Sequence, residues 1–278
     1  MRSPPPAPCG KSSKAPASGS PRSGPEAVEQ TLRLLDAGEA ALVAEFGSTV
    51  DPAINDRVLA LDAALRADPP EGVRETVPTY RSLMIHYDPL VLSREALAGR
   101  VMALADGANA SRAAPTLWTL PCCYAETSDG EPCGEDVAAI AALTGLSPER
   151  VAALHAGATY RVYMYGFAPG FAYLGGLPKA LAVPRRAKPR PPHPANALLV
   201  GGGLAAVGTV PMPTGWYVIA RTPARLYAPE RDETFPVAAG DRIRFEPVDA
   251  VTYAALERRA AAGEVVARRE SFAEEATP

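Results

Sequence analysis

The spacing of apolar positions changes its period along the chain, and the changes divide it. "GEAALVAEFGSTV", with Leu42 and Phe46 among its apolar residues, reads as a strand running into a turn. Asp51-Pro52 then supplies an N-cap and a proline at the first helical position. Ile54, Val58, Leu61 and Leu65 follow at helical spacing, so one face of that helix is buried, and "DPPEG" stops it. "ETVPTYRSLMIHYDP" reads as a strand with Leu83 and Ile85 on one face and Met84 and His86 on the other. Ser93 caps a second helix whose inward residues are Leu97, Val101 and Leu104. Helices returning onto short strands predict a small α+β layer over residues 27–112.

The pattern changes around residues 111–115, where the next domain, 113–250, is expected to begin. Strands dominate from Thr116 onward, with one helical interlude over 135–156. That interlude reads as two short helices, the second opened by Ser147-Pro148-Glu149 as cap, first residue and acidic first turn. "TYRVYMYGF", "NALLVGG", "AAVGTVPM", "GWYVIARTP" and "DRIRFEPV" are short and bounded by Gly and Pro. In the last, Ile243 and Phe245 alternate with Arg242 and Arg244. Strands at this spacing predict a β-barrel or sandwich. The remaining residues, 251–278, read as a charged tail that frays.

Composition refines the ends. Residues 1–26 hold 16 Pro, Ser or Gly and no Leu, Ile, Val or aromatic residue. Such a segment buries too little apolar surface to offset its ordering entropy, so it is expected to be disordered. It also lacks the apolar stretch of a secretory signal. The whole chain, 278 residues at 47% hydrophobic, has enough apolar content for a substantial core. A net charge of -3 argues against general nucleic-acid binding. No apolar run reaches the roughly 18 residues of a membrane span. Cys9, Cys122, Cys123 and Cys133 form no paired metal-ligand set and read as reduced thiols of a cytosolic, cytoplasmic protein.

Charge is segregated. Residues 150–229 contain no Asp or Glu, yet carry Arg150, Arg161, Lys179, Arg185, Arg186, Lys188, Arg190, Arg221 and Arg225. Such a window suits an anionic ligand, or a basic face that pairs with acidic surface elsewhere. Within it lies "YMYGFAPGFAYLGGLPKALAVPRRAKPR", five aromatic rings among chain-breakers followed by four cations. Phe167, Phe171 and Tyr173 either plug one end of a barrel or form an exposed docking patch, with Gly166, Pro169 and Gly170 shaping the turn. No Walker A loop, G-x-S-x-G elbow or H-E-x-x-H motif is present, and Gly201, Gly202 and Gly203 lack the context of a dinucleotide loop. His86, His155 and His193 are too scattered for a metal site. His155 reads as a base or as a satisfied core histidine. Tyr80-Arg81-Ser82 reads equally as a strand entrance or a polar clamp.

"AEFGSTVDPAINDRVLALDAAL", "ETVPTYRSLMIHYDP", "GLSPERVAALHAGATYRVYMYGFAPGFAYLGGLPKALAVPRRAKPR", "PTGWYVIARTP" and "AAGDRIRFEPV" together resemble the bacterial 5-oxoprolinase B-subunit family. That family is also known as allophanate hydrolase subunit 1 and as KipI-type kinase inhibitors. The chain is also similar to one half of the carboxyltransferase region of urea carboxylase, carboxyltransferase subdomain C and D. The resemblance covers residues 30–260, and its most specific part is G-F-x-P-G-F-x-Y-L-G-G-L-P. It implies an α+β fold, a small N-terminal α+β domain followed by a cyclophilin-like β-barrel, and an obligate C-type partner of related barrel fold. For 5-oxoprolinase members it implies ATP-dependent opening of 5-oxoproline to glutamate by A-, B- and C-type subunits together, with Mg2+ accompanying the nucleotide. ATP coupling suggests phosphoryl activation of the lactam oxygen, and the acid-free window fits nucleotide phosphates and a substrate carboxylate.

On that reading Arg185, Arg186, Arg190, Gly202, Gly203 and Arg221 bind anions, and His155, Tyr173 and Arg186 are the catalytic candidates. Gly166, Phe167, Pro169, Gly170, Phe171, Leu174, Gly176 and Trp216 shape the loop or meet the partner, and the chain itself offers no metal site. Other members imply docking on a sensor histidine kinase, or carboxyl transfer with biotin brought by a partner. The sequence also departs from the family. Cys123-Tyr124-Ala125 and Cys133-Gly134-Glu135-Asp136-Val137 replace Cys-Tyr-Gly and Gly-Pro-Asp-Leu. The segment from Gly202 to Pro211 loses the family's polar Thr and its Tyr. If it lines the site, altered substrate choice or weakened catalysis is expected.

Overall fold

The computed structural model of the chain describes residues 32–107 and 114–272. The extension expected over 1–26 and the start of order near residue 27 lie outside the described residues.

The first layer is built from β1 (Arg33–Asp36), β2 (Ala41–Glu45), α1 (Pro52–Ala67), β3 (Val73–Pro78), β4 (Ser82–Tyr87) and α2 (Arg94–Gly107). Its antiparallel sheet has the order β1-β2-β4-β3. α1 starts where the cap chemistry predicts, with Asp51 Oδ1 accepting from Ala53 N at 2.8 Å and Ile54 N at 3.2 Å. Ser93 Oγ likewise accepts from Ala96 N at 3.1 Å ahead of α2. Ile54, Val58, Leu61 and Leu65 of α1 and Leu97 and Val101 of α2 pack on Leu42, Leu83 and Ile85 of the sheet. Each such fully buried side chain contributes about 1.5–3 kcal/mol. The segment read as one strand is a hairpin: β3 ends at Pro78, and Thr79 N donates to Ser82 O at 2.8 Å. Its turn carries Tyr80 and Arg81.

The second layer comprises β5 (Thr116–Cys122), α3 (Val137–Thr144), α4 (Pro148–Ala156), β6 (Thr159–Tyr165), β7 (Ala172–Gly175), a single 3-10 turn (Lys179–Leu181), β8 (Arg190–His193), β9 (Ala197–Gly201), β10 (Leu204–Gly208), β11 (Met212–Thr214), β12 (Tyr217–Arg221), β13 (Arg242–Pro247), α5 (Ala250–Ala261) and β14 (Arg268–Ser271). Eight strands form one sheet in the order β12-β9-β10-β7-β6-β13-β5-β14, and β8 and β11 form a separate pair. β13 and β5 are parallel, while the other pairings are antiparallel. Leu198, Val200, Ala205 and Val207 face the main core, whereas Ala197, Leu199 and Ala206 face a smaller outer cluster with Phe171, Trp216 and Val218. The period-2 alternation of these strands therefore builds two apolar surfaces.

Two expectations change. The fold is mixed α/β with a large sheet, but a closed cyclophilin-like barrel is not what the strand ladder records. β14 pairs with the first half of β5, and β12 joins the chain just beyond β5 through the isolated Cys123–Arg221 bridge rather than through a strand ladder. The residues read as a fraying tail, 251–278, contain most of α5 and all of β14 within their described part. Asp249 caps α5 by accepting from Thr252 N at 2.7 Å, and Tyr253 and Ala260 are buried beneath it.

Candidate functional site

The aromatic signature is a hairpin. β6 and β7 pair antiparallel, with Arg161 opposite Gly175 and Tyr165 opposite Ala172. The turn between them is closed by Gly166 N to Phe171 O at 3.2 Å and Phe171 N to Ala168 O at 3.0 Å. Gly170 needs the freedom of glycine twice over: its φ is +69°, and an added Cβ would lie 2.6 Å from Tyr227 Cβ. Phe167 also has positive φ, 72°, and is 75% exposed. Pro169 O accepts from Thr209 Oγ1 at 2.5 Å, tying the turn to the end of β10. The alternatives left by the sequence are thus split between two rings. Phe171 is buried in the outer cluster, and Phe167 stands out from it.

Below the turn the rings form a continuous wall on the outer face of the sheet. Tyr163 lies 5.3 Å from Tyr80, Tyr80 6.0 Å from Tyr173, and Tyr173 6.1 Å from Trp216, centroid to centroid. Phe171 joins Tyr173 at 4.9 Å and carries Phe167 at 5.8 Å. Tyr163 and Trp216 fit because glycines lie beneath them: a Cβ on Gly175 would run into the Tyr163 ring, and one on Gly201 would stand 3.2 Å from Trp216. Burial pushes the Tyr173 hydroxyl above its ordinary value, with the Arg185 charge opposing. It pushes Tyr80 up further, so both phenols are hydrogen-bond donors at neutral pH. Ala206 of the diverged segment pairs with Tyr173 across β10 and β7, so that segment borders the wall. Leu174, next in β7, points the opposite way into the main core.

The cations fare unequally. Arg186 Nη1 lies 2.9 Å from Asp136 Oδ1, and Arg190 Nη1 lies 2.6 Å from Asp136 Oδ2 while its Nη2 pairs with Glu135. Asp136 also accepts from Val218 N at 2.8 Å. Its carboxylate makes no side-chain cap bond for α3 and is spent on holding the 186–190 segment to β12. Arg161 meets Asp56 at 2.6 Å, Arg221 meets Glu257 at 3.7 Å, and Arg225 pairs with Glu230. Arg186 and Arg190, expected as clamps for a foreign anion, therefore hold the chain's own carboxylates. Arg185 differs: it is exposed, makes no ion pair or hydrogen bond among the described residues, and lies along Gly202 and Gly215. Gly202 and Gly203 are exposed at positive φ, 61° and 77°, and nothing lies within 4 Å of where a Gly203 Cβ would sit.

His155 has the setting of a core residue. It is fully buried on α4, stacked on Phe245 at 4.8 Å, with Nδ1 2.7 Å from the Tyr124 hydroxyl. Burial alone drives its pKa down to about 3, so the ring is neutral. Its ring contacts are Tyr124, Tyr160 and Phe245, none of which belongs to the outer wall. Gly176 serves backbone packing, since a Cβ there would lie 2.8 Å from Thr159 O. Sequence reading missed Asn55 and Asp136 as organising groups and left Tyr80 undecided. Their contacts span 24 to 108 residues of sequence, which no local pattern reports.

A mixed α/β domain with an aromatic-and-cation surface on one large sheet is the class this geometry defines. The model of the carboxyltransferase domain, subdomain C and D, matches residues 32–237, and the chain belongs to that family. Within it, the chain is a member of the 5-oxoprolinase B-subunit group by similarity to curated relatives. It is 30% identical over 230 residues to the 5-oxoprolinase B subunit of Bacillus subtilis (strain 168), covering 78% of this chain and 92% of the relative. It is 35% identical over 219 residues to that of Escherichia coli O157:H7, covering 78% and 97%. Among solved structures, TTHA0988 superposes with a TM-score of 0.67 at 36% identity, covering 75% of this chain and 40% of that one. The urea amidolyase of K. lactis superposes with a TM-score of 0.70 at 17% identity, covering 88% and 16%, a likeness of fold.

Proposed function

We propose that this chain is the B-type subunit of an ATP-dependent 5-oxoprolinase-type complex, which opens the lactam of 5-oxoproline to L-glutamate together with A-type and C-type subunits. The observation that carries the reading is the similarity to two 5-oxoprolinase B subunits along more than nine-tenths of their lengths. The outer wall is the part of this chain whose chemistry suits the task. Protonated Tyr80 and Tyr173 offer donors to a carbonyl that gains negative charge, and Arg185 offers a free cation for a carboxylate or phosphate. Arg186 and Arg190, with Asp136, hold that surface in shape. His155 acts from the core as a packing group.

ATP would supply phosphoryl activation of the lactam. The free Arg185 beside the exposed Gly202-Gly203 turn fits an anionic group. No cluster of three His, Cys, Asp or Glu among the described residues fits Mg2+, which this reading leaves to the phosphates and the other subunits. Phe167 supports the multisubunit aspect: its ring is 75% exposed on a turn whose positive φ costs about 1–3 kcal/mol. A C-type partner covering it would account for both exposure and strain.

The test is reconstitution with A- and C-type subunits, measuring 5-oxoproline-dependent ADP release. A complex that assembles and releases no ADP rules the reading out. Release expected from the wild-type complex should survive His155→Phe to within a few-fold.

A further inference from the structure

The hydroxyl of Tyr80 is buried and has no hydrogen-bond partner among the described residues, although its ring is packed on two sides. Leaving a buried hydroxyl unpaired costs about 1–3 kcal/mol, so such a group calls for an explanation. It is carried on the β3–β4 turn of the first layer yet sits against Tyr163 and Tyr173 of the second. Tyr173 lies between Tyr80, at 6.0 Å, and Trp216, at 6.1 Å, and the Arg185 side chain runs along Gly202 and along Gly215, next to Trp216 in the chain. Two phenol donors and one unpaired cation therefore share a neighbourhood that includes the Trp216 ring. The carboxylates that the 185–190 segment meets, Glu135 and Asp136, are taken by Arg186 and Arg190 and leave Arg185 open.

We infer that Tyr80 is a ligand-contacting donor, and that Tyr80, Tyr173 and Arg185 together receive a small carboxylate bearing an amide carbonyl, the carbonyl on the phenols and the carboxylate on Arg185. The inference rests on the 5-oxoprolinase reading and narrows it: this chain holds the lactam substrate rather than the nucleotide. A phenol suits an amide oxygen because it donates one directional bond and remains neutral. Arg185 suits a carboxylate because its planar fork can donate two parallel bonds. The exposed Gly202-Gly203 turn beside Arg185 leaves room for that group.

The experiment titrates the full-length chain, alone and reconstituted with A- and C-type subunits, by calorimetry. The probes are 5-oxoproline, L-proline (a carboxylate without the lactam carbonyl) and ATP. Tyr80→Phe keeps the ring and removes the hydroxyl; it is expected to weaken 5-oxoproline about ten-fold, the loss of one well-made hydrogen bond, and to leave L-proline and ATP unchanged. Arg185→Ala should weaken both carboxylates. Without ligand, Tyr80→Phe should unfold at or above the wild-type temperature, because it deletes an unpaired buried hydroxyl. Wild-type affinity for 5-oxoproline in Tyr80→Phe overturns the inference. So does a loss directed at ATP, or no 5-oxoproline binding by the wild type in either form. ADP release separates the two readings. Release with an unchanged KM in Tyr80→Phe removes this inference alone, whereas Tyr80-dependent binding without release removes the oxoprolinase function and leaves the site.

Discussion

Asp136 shows how one carboxylate decides what a basic segment is for. It joins Arg186, Arg190 and the backbone of β12 with its side chain 13% exposed. Removing one partner from such a site leaves uncompensated buried charge, at a cost of about 3 kcal/mol. Asp136→Asn should therefore lower the unfolding free energy by about that much in urea or guanidinium melts, whereas Arg185→Ala should stay within about 0.5 kcal/mol of wild type. His155 gives a second prediction with a defined sign. Its folded pKa is about 3, against about 6.5 for an exposed imidazole. Between those values the unfolded chain binds the proton and the folded chain does not, so stability falls as pH drops below 6.5. The slope from this group is at most about 1.4 kcal/mol per pH unit. His155→Phe keeps the stack on Phe245 and should flatten the stability profile between pH 5 and 6.5; an unchanged slope would show that other groups carry it.

At the scale of elements, the local signals that held are those with a local cause. α1, α2 and α4 carry Asp51, Ser93 and Ser147 as caps, and all three side chains accept the backbone N–H expected of them. The hairpin of β3 and β4 was legible only as one strand, because alternation continues across the Thr79–Arg81 turn. β14 was invisible: all four of its residues are exposed, and it exists because β5 offers an open edge. α5 had a cap in Asp249, but its charged face outweighed Tyr253 and Ala260. Turn glycines allow a cleaner test of which local features matter. Gly170 and Gly203 both have positive φ, but only Gly170 has a neighbour too close for a Cβ. Gly203→Ala should cost about 1 kcal/mol from conformation alone. Gly170→Ala should cost more, because Tyr227 Cβ at 2.6 Å must also move. Equal losses in paired denaturation curves would mean that the turn relaxes freely.

Across the whole molecule, the acid-free window is a record of long-range pairing. Arg161, Arg186, Arg190 and Arg221 meet Asp56, Asp136, Glu135 and Glu257, all outside 150–229. The sequence announced the segregation and left a foreign anion and internal pairing both open, because the partners lie 36 to 105 residues away, beyond the reach of a local pattern. The same limit hid the join between the layers. Asn55 on α1 is fully buried and donates from Nδ2 to Thr79 O at 3.1 Å and to Tyr163 O at 3.2 Å. Its Oδ1 accepts from Arg161 Nε at 3.2 Å and Nη2 at 2.9 Å. One amide thus fixes the Tyr80 turn, β6 and Arg161 relative to one another, and nothing in the helical pattern around Ile54 marks it for that role. Asn55→Leu preserves approximate size and removes all four bonds. Thr79 O and Tyr163 O lose a donor, and Arg161 keeps Asp56, so the expected destabilisation is about 2–4 kcal/mol. Hydrogen exchange should then quicken at residues 79–82 and in β6, ahead of the β9–β10 pair, whose partners do not depend on Asn55. Uniform quickening across both sheets would instead mean that the layers unfold as one unit and that Asn55 is an ordinary core contact.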